Sequence, residues 1–222
     1  LLLLGQRTWV QLLSDQTRLR AVRDYSEVIC KSAQALRLVA DDRDAISATL
    51  DRALEAGFDA VGFADAAHGA GAELAFSYQG EALKKRVDPL AAQLGSDLVL
   101  PCDVGSEESI DALFTALGER WDGIDFIVHA IGFSDKNELR GRYVDTSRAN
   151  FAMSMDISVY SFTAVMQRAE KMMKSGGSAV TLTYYGAEKV MPHYNVMGVA
   201  KAALEASVKY LAEDLGKDGI RV

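Results

Sequence analysis

The sequence predicts an α/β protein built on a doubly wound parallel sheet. From residue 58 onward, short apolar runs alternate with helical stretches, which is the order expected of consecutive β-α-β units. Crossovers in such units are right-handed, so the carboxyl ends of the strands meet along one edge of the sheet. Ligands of open α/β sheets bind at that edge, and we therefore expect the functional site there.

The composition favours one globular domain with a sizeable core, since 49% of the 222 residues are hydrophobic and 25% are charged. A net charge of -7 without a Lys/Arg run argues against nucleic-acid binding, and nothing indicates a membrane span. Cys30 and Cys102 have neither metal-ligand nor secreted-disulfide spacing, so we expect no metal and a cytoplasmic location. The opening Leu1–Leu4 is too short for a signal-peptide core.

The predicted helices and strands divide the chain into two parts. Residues 1–57 are expected to be an atypical helix-rich segment that carries no site, with Ile46, Leu50 and Leu54 at helical spacing. Residues 58–222 are expected to form a partial Rossmann-type domain, incomplete at both ends. Its predicted strands are 73–78, 97–100, 124–129, 178–183 and 220–222, and its predicted helices are about 59–70, 81–94, 107–119, 147–174 and 194–216.

Three strand ends carry residues suited to a dinucleotide. Gln79 follows the strand 73–78, where such folds present a side chain to the adenosine ribose, and an uncharged amide suits a hydroxyl pair better than a 2′-phosphate. The nearby Lys84, Lys85 and Arg86 could supply charge, so the preference for NADH is moderate. Asp103 could accept from an adenine amino group or could cap the helix that begins at Glu107, a role for which Ser106 competes.

At the third strand end, Gly132 follows the strand that ends at His129. A glycine there permits close approach of the backbone to a ligand. By itself, such a glycine is equally typical of a turn.

The stretch from Leu182 to Lys201 supplies the candidate catalytic groups. Tyr194 and Lys201 lie seven residues apart, which at 3.6 residues per turn places the lysine about 20° from the tyrosine and two turns further along the same helix face. Tyr184 comes at the end of the strand 178–183. The three side chains are therefore expected to converge at the carboxyl edge of the sheet.

From about residue 62 to 222, the chain resembles the NADH-dependent enoyl-acyl-carrier-protein reductases of bacterial fatty acid synthesis, in the short-chain dehydrogenase/reductase superfamily. Matching motifs cover about three-quarters of the chain in the expected order, which is more specific than any single motif. They are Gly71–Phe76, Cys102–Val104, His129–Phe133, Asp156–Ser158 with Tyr160–Phe162, and Tyr194–Lys201.

The resemblance implies transfer of a hydride from NADH to the β-carbon of a trans-2-enoyl thioester. In that reaction, Tyr194 would hydrogen-bond the thioester carbonyl, and Lys201 would bind the nicotinamide ribose. Tyr184 would line the acyl site and assist binding or protonation, and Met197 would line the substrate pocket. Packing or surface roles remain the alternative for Tyr184, Met197 and Lys201.

By the same resemblance, Gln79, Asp103, Val104 and the backbone of Ala130, Ile131 and Gly132 would contact the adenosine or the nicotinamide ribose. It also implies a homotetramer formed through the helices 147–174 and 194–216, with an enoyl-acyl-carrier protein as the substrate.

Two features depart from this pattern or compete with it. The family opens with a strand and a glycine-rich turn that binds the pyrophosphate, but Phe58 and Asp59 stand where that turn is expected. Tyr185 and Lys189 have the Tyr-x-x-x-Lys spacing of carbonyl-reducing relatives, so a ketoreductase is one alternative, although Met191-Pro192 places the helix start after Lys189. The other alternative is a relative of this family that is truncated or fused and has no catalytic activity.

Overall fold

The computed structural model describes residues 2–6, 64, 67–68, 71–173 and 176–222. The strands are β1 (Leu2–Gln6), β2 (Glu73–Tyr78), β3 (Leu98–Pro101), β4 (Phe126–His129), β5 (Gly177–Thr181) and β6 (Ile220–Arg221). The α-helices are α1 (Gly80–Gln93), α2 (Glu107–Arg120), α3 (Lys136–Leu139), α4 (Arg148–Met155), α5 (Ser161–Ala169) and α6 (Asn195–Gly216). Shorter elements are 3₁₀ turns at Tyr143–Asp145 and Tyr185–Ala187 and a π-helical turn at Asp156–Tyr160.

The strands within this described part form one sheet in the order β3-β2-β1-β4-β5-β6. β3 pairs with β2, β5 with β4 and β6 with β5, all in parallel, as the sequence predicts. This strand order is the one typical of dinucleotide-binding doubly wound sheets. The predicted fold class is confirmed.

The central strand β1 differs from the prediction. Leu2–Gln6 is extended rather than helical, and it pairs antiparallel with both β2 and β4. Leu2 lies opposite His129, at the carboxyl ends of the parallel strands, and Gln6 lies opposite Glu73 at the other edge. The sheet is therefore mixed, because these residues fill the slot between β2 and β4 in the reverse direction. The other residues of the predicted helix-rich segment 1–57 lie outside the described part.

The core follows the two-residue repeat of the strands. Phe76 and Val128 point to the face covered by α1, whereas Ala75 and Ile127 point to the larger cluster formed with α2, α5 and α6. Within α2, Ile110, Leu113, Phe114 and Leu117 are buried at helical spacing. The sheet is thus packed against helices through an apolar layer on each face, and the carboxyl ends of its strands remain available to form a site.

The predicted helices at 81–94, 107–119 and 194–216 are confirmed to within two residues at each end. The predicted single helix 147–174 is wrong in detail, because α4 widens into the π turn at Asp156–Tyr160 before α5 begins, and α5 ends at Ala169. Of the predicted helix 59–70, the structure describes Ala64, Ala67 and His68, which are helical.

None of the described helices is long and apolar enough to cross a membrane.

Candidate active site

Tyr194 is placed by the sharp start of α6. It is the N-cap residue, and its neighbours His193 and Asn195 have positive φ angles of 59° and 34°. The Asn195 amide donates to the carbonyls of Glu138 and Gly141, at 3.0 and 2.7 Å, which ties this turn to the end of α3. These two hydrogen bonds hold the backbone bend in which Tyr194 stands.

The rings of Tyr184 and Tyr194 meet edge to face, with centroids 4.7 Å apart and an interplanar angle of 61°. Burial, with a smaller contribution from Tyr184, raises the pKa of Tyr194 to about 12. The Tyr194 hydroxyl consequently stays protonated at neutral pH and serves as a hydrogen-bond donor.

Lys201 is buried two turns into α6, with 7% of its surface exposed. Its ammonium donates to the Leu182 carbonyl at 2.8 Å and to the Ile131 carbonyl at 3.4 Å. Burial lowers the pKa of Lys201 to about 8, so the side chain remains mainly charged at neutral pH. An ammonium has three N–H donors, and these two carbonyls leave one for a ligand.

A cleft of about 520 Å³ lies where these groups meet. Of the residues predicted for the site, Tyr184, Tyr194, Met197, Lys201 and the segment 130–132 line it together. The convergence expected from the spacing and from the strand ends is therefore present.

The three residues predicted for the adenosine end lie outside this cleft, after β2 and β3. Gln79 and Asp103 are exposed, and the Gln79 amide lies 3.5 Å from the Asp103 carboxylate. Val104 is half-buried against the core. Ser106 is the cap of α2, since its hydroxyl accepts from the Ser109 N–H, whereas Asp103 accepts from the Gly105 N–H. The capping alternative for Asp103 is thus wrong, and its carboxylate remains accessible beside Gln79.

The competing pair does not share the cleft. Tyr185 begins the 3₁₀ turn before α6, and the Lys189 ammonium lies over its ring, 5.0 Å from the centroid. Neither side chain lines the cleft, which disfavours the carbonyl-reducing arrangement.

Leu182, Thr183 and Pro192 also line the cleft, although the sequence reasoning did not assign them. Leu182 and Thr183 directly follow β5, and Pro192 lies three residues before the start of α6, positions that could have indicated them. Ser158 was also missed: its hydroxyl accepts from the Phe133 N–H at 2.9 Å and fixes the loop that follows β4. The place of Ser158 in the matching motif Asp156–Ser158 could have indicated this role.

The nicotinamide end of a dinucleotide fits these residues. A Cβ on Gly132 would lie 3.4 Å from Met197 Cε and 3.6 Å from Lys201 Nζ, so the glycine keeps that corner of the cleft open. The remaining N–H of Lys201 suits a ribose hydroxyl. At the pyrophosphate end, Phe58 and Asp59, which stand where the family's glycine-rich turn is expected, lie outside the described residues, and the described strand β1 ends with Gln6 at the edge of the sheet opposite the cleft.

Comparison with known proteins gives a consistent picture. A family model described as "Enoyl-(Acyl carrier protein) reductase" matches residues 60–222. An NADH enoyl-[acyl-carrier-protein] reductase of Rhizobium meliloti is 68% identical over 163 residues, which are 73% of this chain and 60% of the relative. The corresponding protein of Salmonella typhimurium is 51% identical over 164 residues, 73% of this chain and 63% of its own length.

Solved structures agree in fold. The enoyl-(acyl-carrier-protein) reductase of Anaplasma phagocytophilum in complex with NAD is 61% identical, with a TM-score of 0.71 over 74% of this chain and 64% of the other. The reductase of Bacillus cereus with NADP+ and an indole naphthyridinone is 48% identical, with a TM-score of 0.70 over 73% of this chain and 65% of the other. The chain spans about three-fifths of the length of the curated relatives that it matches.

Proposed function

Because the chain belongs to the enoyl-(acyl carrier protein) reductase family, we propose that it saturates the trans-2 double bond of enoyl-acyl-carrier-protein thioesters with NADH in fatty acid synthesis. The observation that carries the proposal is the convergence of Tyr194, Lys201 and the 130–132 backbone in one cleft. When bound, NADH supplies the hydride that reaches the β-carbon of the thioester.

Tyr194 acts on the thioester carbonyl. Its hydroxyl donates a hydrogen bond to the carbonyl oxygen and stabilises the negative charge that develops there as an enolate forms. Its raised pKa supports this role, because a phenol that stays protonated remains a donor throughout the reaction. The edge-to-face contact with Tyr184 limits the orientations that the Tyr194 ring can adopt.

Lys201 binds the nicotinamide ribose through its remaining N–H and contributes positive potential to the developing oxyanion. Its two carbonyl partners fix the ammonium without neutralising its charge. The backbone of Ala130, Ile131 and Gly132 forms the adjacent wall for the ribose and nicotinamide. At the adenosine end, we assign Gln79 to the ribose hydroxyls, and Asp103 and Val104 to the adenine.

Tyr184 and Met197 contact the acyl part of the substrate. Tyr184 is 42% exposed at the cleft mouth, and Met197 is buried at its base. The Tyr184 hydroxyl is placed to assist binding or protonation, and Met197 supplies an apolar wall that adapts to the chain.

The experiment is an absorbance assay at the NADH band with a trans-2-enoyl thioester and, separately, a β-ketoacyl thioester. The proposal requires oxidation of NADH by the enoyl thioester and little by the β-ketoacyl thioester. The reverse preference would instead support the ketoreductase alternative.

A non-catalytic role is the second candidate, and the antiparallel direction of β1 favours it. A chain that binds the two ends of the cofactor but not its pyrophosphate would bind NADH weakly. Fluorescence titration with NADH separates the candidates: saturable binding supports the enzyme, and its absence in a folded protein supports the non-catalytic role.

We also propose that the chain assembles as a homotetramer in the cytoplasm, with α4, the π turn, α5 and α6 at the interface. Large apolar side chains of α4, the π turn and α6 are exposed in the single chain, namely Phe151, Tyr160, Val199 and Tyr210. Sedimentation analysis with and without NADH tests the assembly, and a monomer under both conditions would refute it.

A further inference from the structure

His129 lies at the carboxyl end of β4, fully buried behind the cleft. Both ring nitrogens have hydroxyl partners from other elements: Nδ1 lies 3.0 Å from Thr181 Oγ1 at the end of β5, and Nε2 lies 2.9 Å from Ser161 Oγ at the start of α5. The ring also packs against Phe162, with centroids 5.0 Å apart. One side chain thus connects two strand ends and a helix start.

The hydrogen bonds assign the protonation of this ring. Ser161 donates its own hydrogen to the Ile157 carbonyl at 2.7 Å, so its oxygen must accept from Nε2–H of His129. The Thr181 hydroxyl also lies 3.2 Å from the His129 carbonyl, but this contact is longer than its 3.0 Å contact with Nδ1, so Nδ1 carries no hydrogen and accepts from the Thr181 hydroxyl. Burial and, next, the charge of Lys201 lower the pKa of His129 to about 3, which keeps the ring in this neutral form.

The two strand ends joined by His129 are those that bind Lys201. Ile131, two residues after His129, and Leu182, directly after Thr181, supply the two carbonyls that accept from the ammonium. The backbone adds a further link, because the Leu182 N–H donates to the His129 carbonyl at 3.2 Å. The separation of the two carbonyls therefore depends on the bonds made by His129.

We infer that His129 is a positioning residue, whose neutral ring holds the ends of β4 and β5 at the spacing that clamps the Lys201 ammonium between the Ile131 and Leu182 carbonyls. Its effect on catalysis rests on the proposed function. The clamp itself does not, because it can be measured on the protein without cofactor or substrate.

The test measures the titration of Lys201 directly. Competitive labelling with acetic anhydride over a pH series, read by mass spectrometry, gives the apparent pKa of each lysine. A buried, clamped Lys201 titrates near 8 in the wild type. In His129→Ala the clamp loosens and water enters, so the pKa of Lys201 should rise by about 1 or more toward that of a solvated lysine. His129→Gln keeps a donor toward Ser161 and should restore part of the wild-type value.

Two nearly isosteric variants keep the inference testable if His129→Ala fails to fold. Thr181→Val and Ser161→Ala each remove one partner of the ring without opening space for water, and each should lower the pKa of Lys201, because the hydrogen bonds to the two carbonyls favour the charged ammonium. The control is Leu117→Ala, a truncation of a fully buried side chain on α2 that lowers thermal stability without touching this network. Its Lys201 should titrate as in the wild type.

An unchanged pKa of Lys201 in folded His129→Ala or Thr181→Val would overturn the inference and leave His129 a packing residue. A shift seen equally in Leu117→Ala would also overturn it, because the change would then follow from lost stability. A specific shift in a protein that does not oxidise NADH would support the clamp while refuting the proposed function.

Discussion

Replacing Gly198 with alanine tests how closely the start of α6 must approach the turn at Tyr185–Ala187. A Cβ on Gly198 would lie 2.6 Å from the Gly186 carbonyl oxygen, about 0.7 Å inside the roughly 3.3 Å at which carbon and oxygen touch. Gly186 in turn has the Tyr194 ring against it, so the turn cannot move without moving that ring. The substitution should therefore displace Tyr194 within the cleft.

Two opposing effects set the change in unfolding free energy for Gly198→Ala. Overpacking destabilises by about 1–3 kcal/mol, and replacing a helical glycine with alanine stabilises by up to about 1 kcal/mol, so we expect a net loss of roughly 0–3 kcal/mol. The effect on rate should be larger, because a displacement near 1 Å in a reacting group reduces turnover by about 100-fold. We expect kcat to fall about 10- to 100-fold.

The assay combines thermal unfolding with NADH oxidation by an enoyl thioester. Gly118→Ala is the matched control, since it makes the same change within α2, where an added Cβ meets nothing within 4 Å. The control should keep wild-type turnover and gain up to about 1 kcal/mol in stability. A kcat for Gly198→Ala within threefold of the wild type would refute the reasoning that this close approach positions Tyr194.

Further predictions concern the site and its cofactor. Tyr194→Phe should reduce turnover about 100-fold or more by removing the donor to the oxyanion, whereas Tyr185→Phe should change it less than threefold; steady-state assays compare them. NADH binding should weaken as pH rises through about 8, because Lys201 loses its charge there, and titrations of Lys201→Gln should show no such step. The same lowered pKa makes the unfolding free energy rise between about pH 8 and 10.5, where only the unfolded state keeps that proton; chemical denaturation over this range checks the sign. Gln79→Arg should improve NADPH binding about tenfold by pairing with a 2′-phosphate, whereas Lys84→Gln should leave it unchanged, because Lys84 already pairs with Asp88 at 2.9 Å; fluorescence titration measures both.

The features that could be predicted from the sequence are those that depend on residues close together in the chain. The strand Glu73–Tyr78 matches its predicted limits because turn residues bound its apolar run. The spacing of Tyr194 and Lys201 predicted a shared face because helix geometry is regular over two turns. These features need no knowledge of distant contacts.

Features that depend on distant partners could not be predicted in this way. The pairing of Leu2–Gln6 depends on β2 and β4, which lie more than 60 residues away in sequence. The π turn before α5 accompanies the Ser158 bond to the loop after β4, which local periodicity does not contain. The role of His129 likewise appears only once β5 and α5 lie beside it.

We propose that this chain reduces enoyl thioesters with NADH through Tyr194 and Lys201. The most direct measurement is NADH oxidation by the purified chain with a trans-2-enoyl thioester, for the wild type, Tyr194→Phe and Lys201→Gln. We predict turnover by the wild type and a loss of about 100-fold or more in each variant. A folded wild type that binds NADH but does not oxidise it, or variants that keep full turnover, would contradict the claim.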